Sequence, residues 1–264
     1  GPTMKDPRNE KLATQLLEYS VDLKKGETLY LEIKGQETLQ LGKEIIRIAT
    51  SMGATPFWYY NDESLLRQWV GNASEEQIKT QAALHMELMK RSDAYIGLRG
   101  SDNPFDMSDI PREKMDLHNS HFMKPVHFEQ RVKHTRWCVL RYPNNAMAQL
   151  AETSQEKFAD FYYEVCLANY ARMDEAQTKL VNMVNATDQV RLKGPGTELT
   201  FSIKDIPCQK CAGHHNIPDG EVYTAPVRDS INGQITYNAP SLYQGVVYNN
   251  VSLTFEGGRI MKAT

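Results

Sequence analysis

The stretch CAGHHNIPDGEVYTAP, residues 211–226, is the densest run of residues in this chain that could do chemistry. Cys208 and Cys211 have the C-x2-C spacing of many structural zinc sites, and His214 or His215 could add an imidazole nitrogen. Such sites usually take their second ligand pair from a distant turn or helix. Because neighbouring side chains of an extended segment point in opposite directions, both histidines cannot easily face one ion. The pattern favours two small buried thiols beside a polar loop over a zinc knuckle.

Glu221 is the second candidate in the same stretch. Pro218, Asp219 and Gly220 predict a tight turn, after which Glu221 enters a strand. A strand ladder would fix the carboxylate at the rim of a sheet, which suits an acid that binds a metal or transfers a proton. The alternative is an ordinary exposed acid after a turn.

The segment DLHNSHFMKPVHFEQRVKH contains further histidines. His118 and His121 lie three residues apart, so on a helix they would share one face. No glutamate completes the H-E-x-x-H arrangement of a zinc protease. We therefore expect hydrogen-bonded surface or interface histidines here rather than metal ligands.

Composition excludes several classes of protein. The 264 residues include 30 Lys and Arg against 33 Asp and Glu, a net charge of -3 without a block of one sign, so no nucleic-acid partner is expected. No apolar stretch approaches the ~20 residues that span a bilayer, so no membrane segment is expected either. The N-terminus lacks a signal-peptide core, and four cysteines do not make a disulfide framework. We expect a cytoplasmic protein.

The pattern of the chain changes near residue 187. Before it, helical periodicity alternates with short apolar strands such as TPFWYYN and DAYIGLRGS, which predicts a doubly wound, mostly parallel sheet over residues 5–186. The helix-like REKMDLHNSHFMKPVHFEQRVKH precedes the fourth of these strands. After it, short β-like runs predict a β-rich, largely antiparallel part over residues 187–264, with a Gly-Pro-Gly turn and a hairpin signal at Asn232-Gly233.

Two long segments resemble a known family. Residues 216–260, NIPDGEVYTAPVRDSINGQITYNAPSLYQGVVYNNVSLTFEGGRI, are similar to the opening of the catalytic domain of peptidase family M29, the thermophilic-type metalloaminopeptidases. TRWCVLRYPNNAMAQLA resembles a signature strand and loop of that family, and the likeness runs from Lys11 to Ile260. The resemblance implies that 187–264 is the β-rich first part of an α+β catalytic domain, in an enzyme that is usually a dimer.

The resemblance also implies a chemistry. Family members remove N-terminal residues from peptide substrates with a two-metal site of zinc, cobalt or magnesium, and Glu221 matches one of its metal ligands. Arg228 and Asp229, on the next turn, are candidates for orienting ligands. The family's remaining ligands match nothing in this sequence. The expectation is therefore a metalloaminopeptidase of which this chain is an inactive, truncated fragment that does not bind both metal ions.

Two other functions remain open at this point. One is a non-catalytic module that binds a partner or forms dimers. The other is a structural zinc-knuckle protein that uses Cys208 and Cys211.

Overall fold

The computed structural model describes residues 5–101, 103, 105–243 and 246–264. The chain forms two compact units. The first unit contains the residues up to Ala171 together with Ala212–Gly220, and the second contains Arg172–Cys211 and Glu221–Thr264. The compact units thus do not follow the predicted boundary at residue 186. Residues 172–186 belong to the second unit, and residues 212–220 belong to the first. The functional division into an N-terminal and a catalytic domain stays a prediction.

The regular elements follow one another in the order expected of an α/β chain with a β-rich end. The strands are β1 (Thr28–Lys34), β2 (Thr55–Asn61), β3 (Ala94–Arg99), β4 (Arg136–Arg141), β5 (Gln189–Gly194), β6 (Thr197–Ser202), β7 (Gln209–Cys211), β8 (Asn216–Ile217), β9 (Glu221–Tyr223), β10 (Asn232–Thr236), β11 (Ser241–Tyr243), β12 (Val246–Tyr248), β13 (Ser252–Glu256) and β14 (Arg259–Ala263). The α-helices are α1 (Pro7–Gln15), α2 (Leu39–Ser51), α3 (Glu63–Asn72), α4 (Glu75–Lys90), α5 (Arg112–His118), α6 (Val132–His134), α7 (Asn145–Leu150), α8 (Gln155–Cys166) and α9 (Tyr170–Asn185).

A parallel sheet organises the first unit. Its strand order is β2-β1-β3-β4-β8, and each neighbouring pair is parallel. The central strands β1 and β3 are buried along nearly their whole length, as expected when helices cover both faces of a sheet. The four predicted strands of this sheet are confirmed, and β8, from the predicted β-rich part, joins them as a fifth.

The helix that precedes β4 is wound unusually. From α5 the chain continues through a wide, π-type stretch at Asn119–Arg131, which includes Pro125, into α6. A wider winding brings residues four to five apart onto one face, instead of three to four. The helix α4 begins with a reciprocal capping box between Ser74 and Gln77.

An antiparallel sheet organises the second unit. Its order is β14-β13-β10-β6-β5, and β7–β9 and β11–β12 form two separate pairs. The Gly-Pro-Gly turn links β5 to β6 as predicted, and the predicted α/β fold with a β-rich second part is confirmed. The predicted hairpin turn at Asn232-Gly233 is wrong, because both residues lie within β10. A Cβ on Gly233 would come within 2.1 Å of the Glu198 carbonyl oxygen, so glycine there permits close strand approach.

Candidate functional site

Glu221 begins β9, as the turn chemistry predicted. It lies opposite Cys211 in the β7–β9 ladder, and its side chain is exposed. The turn before it is held in place because Asp219 Oδ2 accepts a hydrogen bond of 2.8 Å from the Gly213 amide. Among the residues that the structure describes, the Glu221 carboxylate has neither a hydrogen bond nor an ion pair. Its two oxygens are therefore open to a cation.

The paired histidines contact different aromatic side chains. The His214 ring packs on Tyr19 with 4.7 Å between centroids. The His215 ring stacks on Trp137 at 4.4 Å, and its Nδ1 lies 3.2 Å from the Trp137 carbonyl oxygen. The two rings thus have different partners, as expected, although residues 212–215 form a bend rather than an extended segment.

The two cysteines of the C-x2-C motif lie in the second unit. Cys208 is buried, and its amide donates a hydrogen bond of 2.8 Å to Asn185 Oδ1. Cys211 ends β7 and is half-buried. In the described ranges, no three His, Cys, Asp or Glu side chains lie close enough together to hold a metal ion. Cys208 and Cys211 by themselves supply two of the four ligands that a structural zinc site needs.

Arg228 and Asp229 lie on a single exposed 3-10 turn, Arg228–Ser230. The backbone of this turn packs closely on the β13–β14 hairpin, where a Cβ on Gly258 would come within 1.9 Å of the Arg228 carbonyl oxygen. In the part of the chain that the structure describes, neither side chain forms a hydrogen bond or an ion pair with Glu221. Their role as orienting residues stays a prediction.

A buried polar network that the sequence did not predict crosses the parallel sheet. Glu32 of β1 is only 9% exposed. Its Oε2 accepts a hydrogen bond of 2.6 Å from the Tyr95 hydroxyl, and its Oε1 lies 3.1 Å from Arg99 Nη1. Arg99 Nη2 also donates to the Tyr95 hydroxyl at 2.9 Å. Burial alone would raise the pKa of Glu32, but the Arg99 charge and the Tyr95 hydrogen bond outweigh it and lower that pKa to about 2.

Two histidines of the wide-wound helix are buried beside this network. His127 meets the Tyr95 ring edge-on at 5.7 Å, and burial lowers the pKa of His127 to about 3. His118 stacks on Phe122 at 5.1 Å, and burial lowers its pKa as well. His121 instead approaches Glu75 at 3.3 Å near the surface. His118 is therefore not the expected hydrogen-bonded surface histidine, because its ring is buried and its Nδ1 has no hydrogen-bond partner among the described residues.

Arg131, from the same helix, is buried between aromatic rings. Its guanidinium carbon lies 4.8 Å from the Tyr95 ring centroid and 4.9 Å from that of Trp137. Burial lowers the pKa of this guanidinium. Cation–π contacts of this kind stabilise the charge without a carboxylate.

A cavity of about 390 Å³ opens beside the network. It includes the last residues of three adjacent strands, Lys34 of β1, Asn61 of β2 and Arg99 of β3. The strand order places β1 between β2 and β3, so the chain reverses its direction of winding between β1 and β3. In doubly wound sheets, ligands bind outside the carboxyl ends of the strands at such a reversal.

A larger cavity of about 690 Å³ lies along the same edge of the sheet. It shares Lys34 and Arg99 with the smaller cavity and adds Arg141, the last residue of β4, and Pro218. Glu221 follows Pro218 by three residues in the chain.

Within the described residues, no helix combines the length and apolar character needed to cross a membrane.

Comparisons with known proteins bear on the whole chain. Residues 5–264 match the model of a family described as thermophilic metalloprotease (M29). Aminopeptidase 2 of Geobacillus stearothermophilus is 22% identical over 284 residues, which cover 96% of this chain and 68% of that protein. Aminopeptidase T of Thermus thermophilus is 24% identical over 281 residues, which cover 94% and 68%.

Solved structures share the fold. Wild-type AmpT from Thermus thermophilus matches with a TM-score of 0.78 at 21% identity, over 97% of this chain and 71% of that one. A 2,5-dihydroxypyridine dioxygenase from Pseudomonas putida KT2440 matches with a TM-score of 0.56 at 8% identity, over 100% and 69%. Because proteins with such different names share this fold, the fold by itself does not assign a reaction.

Proposed function

This chain belongs to the thermophilic metalloprotease family M29, and from that premise we propose that it carries part of the metal site of an aminopeptidase that removes N-terminal residues from peptides. The family match over residues 5–264 is the observation that supports this most directly. The curated relatives that it resembles along nearly all of its length are named aminopeptidases.

Glu221 is the metal ligand in this proposal. Its carboxylate is exposed, and the β7–β9 ladder holds its backbone in place. Carboxylate oxygens bind zinc as well as harder divalent cations such as magnesium. The absence of a hydrogen-bond or ion-pair partner among the described residues leaves both oxygens available for such a cation.

The residues described here do not fit a two-metal centre by themselves. Such a centre needs several carboxylates and imidazoles around two ions about 3.5–4 Å apart. The described part of the chain brings together no three potential ligands, so Glu221 would be a lone donor. We therefore propose that the two-metal site takes further ligands from polypeptide outside the described residues, and that the 264-residue chain alone has no peptidase activity.

The test is hydrolysis of aminoacyl p-nitroanilides with added cobalt, zinc or magnesium. It compares the complete product of the gene with the 264-residue chain. We expect chelator-sensitive turnover by the complete product and its loss in Glu221→Gln, with Glu256→Gln, an exposed acid of β13, as the matched control. No turnover by the complete product with any of the three metals would refute the aminopeptidase. Chelator-sensitive turnover by the 264-residue chain would refute the incomplete site and leave the aminopeptidase standing.

Assembly and location are proposed on narrower support. The edge strand β2 exposes Phe57 and Trp58, which is consistent with the homodimer that the resemblance implies. Light scattering that finds only monomers would refute the homodimer.

Cys138, Cys166 and Cys208 are buried free thiols, which is consistent with the reducing cytoplasm. Alkylation of protein taken directly from cells should find these three thiols reduced.

A further inference from the structure

Buried polar atoms without a partner are concentrated at the smaller cavity. Native proteins leave few such atoms, and each one calls for an explanation. The described part of the chain contains nine of these side-chain atoms. Four of them belong to residues that line the 390 Å³ cavity, namely Trp69 Nε1, Arg99 Nη1, His118 Nδ1 and His127 Nδ1. The residues around this cavity therefore hold several buried hydrogen-bonding groups that no described residue uses.

The unused groups favour a ligand with acceptor oxygens. An indole N–H and a guanidinium can only donate hydrogen bonds. Arg99 Nη1 already forms an ion pair with Glu32 Oε1 at 3.1 Å, so the Trp69 indole N–H is the donor left wholly without a partner among the described residues. The Glu32 carboxylate already accepts from Tyr95 and is paired with Arg99, so it does not call for a cationic ligand. Carboxylates and phosphates offer the matching acceptors.

The charges close to the cavity also favour an anion. Glu32 is one negative charge against the positive charges of Arg99 and Arg131, and Arg131 has no ion-pair partner among the described residues. Lys34 forms an ion pair with Glu63, so those two charges offset each other. His118 and His127 are neutral near pH 7 because burial lowers the pKa of each. Within the buried network this leaves one positive charge in excess, while the acids Glu37 and Asp62 act on Tyr60, another lining residue.

The walls of the cavity suit a flat ring. Tyr59, Trp69 and Phe122 contribute aromatic surface. The volume of about 390 Å³ lies within the range of roughly 300–1,000 Å³ that is typical of small-molecule sites. The cavity also lies at the reversal point of the parallel sheet, where doubly wound folds bind ligands.

We propose that this cavity binds a small aromatic or heteroaromatic anion, either a carboxylate or a phosphate ester. All of its lining residues belong to the first compact unit. Glu221 is not one of them, and the inference does not depend on the proposed peptidase function.

Indole N–H resonances provide the test. The chain contains three tryptophans, so its nitrogen–proton spectrum shows three indole signals, and Trp69→Phe and Trp58→Phe assign two of them by loss. The chain is titrated with four probes that share one ring: benzoate, phenyl phosphate, benzyl alcohol and benzylamine. We expect benzoate or phenyl phosphate to shift the Trp69 signal saturably, and the stronger of the two identifies the preferred anion. The neutral and cationic probes should leave that signal in place.

Variants locate the site. Trp69→Phe keeps the ring but removes a donor to a charged acceptor, so calorimetry should show about tenfold weaker binding of the anionic probe. Trp58→Phe, the same change at a side chain that is 57% exposed, and Arg141→Gln, which touches only the larger cavity, should leave binding unchanged. In the unmodified chain, nuclear Overhauser contacts between the probe's ring protons and a shifted indole N–H give the same answer without any variant at Trp69.

Three results would overturn the proposal. One is that neither anionic probe shifts the Trp69 indole signal. Another is that benzylamine shifts it as strongly as benzoate does. The third is that Trp69→Phe binds the anionic probe as tightly as the unmodified chain.

Discussion

Substitution of Glu32 by glutamine tests whether the buried network stabilises the first unit. The change keeps the shape of the side chain but removes its charge. Arg99 then loses its carboxylate partner, and Tyr95 keeps only a weaker, neutral acceptor. Removal of one partner from a buried ion pair costs about 3–5 kcal/mol. Because the Arg99 side chain is 27% exposed, we expect a loss of about 3 kcal/mol in the free energy of unfolding at pH 7.

The pKa of Glu32 gives the pH dependence. The Arg99 charge holds it well below an ordinary 4.5, at about 2, which at about 1.4 kcal/mol for each pH unit is a contribution of a few kcal/mol. A lowered carboxylate pKa stabilises the folded state fully above the unfolded pKa of 4.5. That contribution disappears as the pH falls toward the folded pKa of about 2. The unmodified chain should lose this free energy in that window, and Glu32→Gln should not.

Urea unfolding followed by circular dichroism measures both effects, at pH 7 and at steps below pH 4.5. The gap in unfolding free energy between the unmodified chain and Glu32→Gln should narrow as the pH falls. Glu75→Gln is the matched control, because Glu75 pairs with Lys79 on the exposed surface of α4. The unfolding free energy of Glu75→Gln should equal that of the unmodified chain, within error, at every pH. If the unfolding free energies of Glu32→Gln and the unmodified chain change in parallel with pH, the network is not the source of the pH-dependent stability.

Two further predictions concern local stability and reactivity. Ser74→Ala breaks the capping box with Gln77 and should lower the unfolding free energy by about 1 kcal/mol in urea, while Ser101→Ala, outside any helix, should change it less. Burial raises the pKa of both the Cys138 and Cys166 thiols to about 12. Neither thiol should react with a disulfide reagent at pH 8 until urea unfolds the chain, and rapid labelling of either in the native state would contradict this.

The sheets and the position of Glu221 could be predicted from the sequence because their patterns are local. Apolar runs such as TPFWYYN and AYIGLR mark strands, and the Pro-Asp-Gly turn fixes the start of β9. The return of β8 to the parallel sheet could not be predicted in this way. A strand of two residues carries almost no periodicity, and its pairing with β4 joins residues 77 positions apart, such as Val139 and Asn216.

The buried histidines were missed because the helix departs from the usual period. A period of 3.6 places His118 and His121 on one face. In the structure the buried positions are His118, Phe122, Val126, His127 and Arg131, and His121 is not among them. A sequence pattern gives no reason to expect the wide winding of Asn119–Arg131 in advance. π-type stretches are rare and are found frequently at functional sites.

Glu32, by contrast, had a signal in the sequence. It lies in the middle of TLYLEIK, a largely apolar run that is typical of a strand covered on both faces. A carboxylate in such a strand needs a cation or a hydrogen-bond donor beside it, because the free energy of removing an unpaired charge from water exceeds what the packing of one strand contributes. The partner had to come from a neighbouring strand of the same sheet, and AYIGLR offers both Tyr95 and Arg99. A single charged residue inside an otherwise apolar parallel strand therefore points to a buried network, and in this chain the network forms one wall of the cavity with the unused donors.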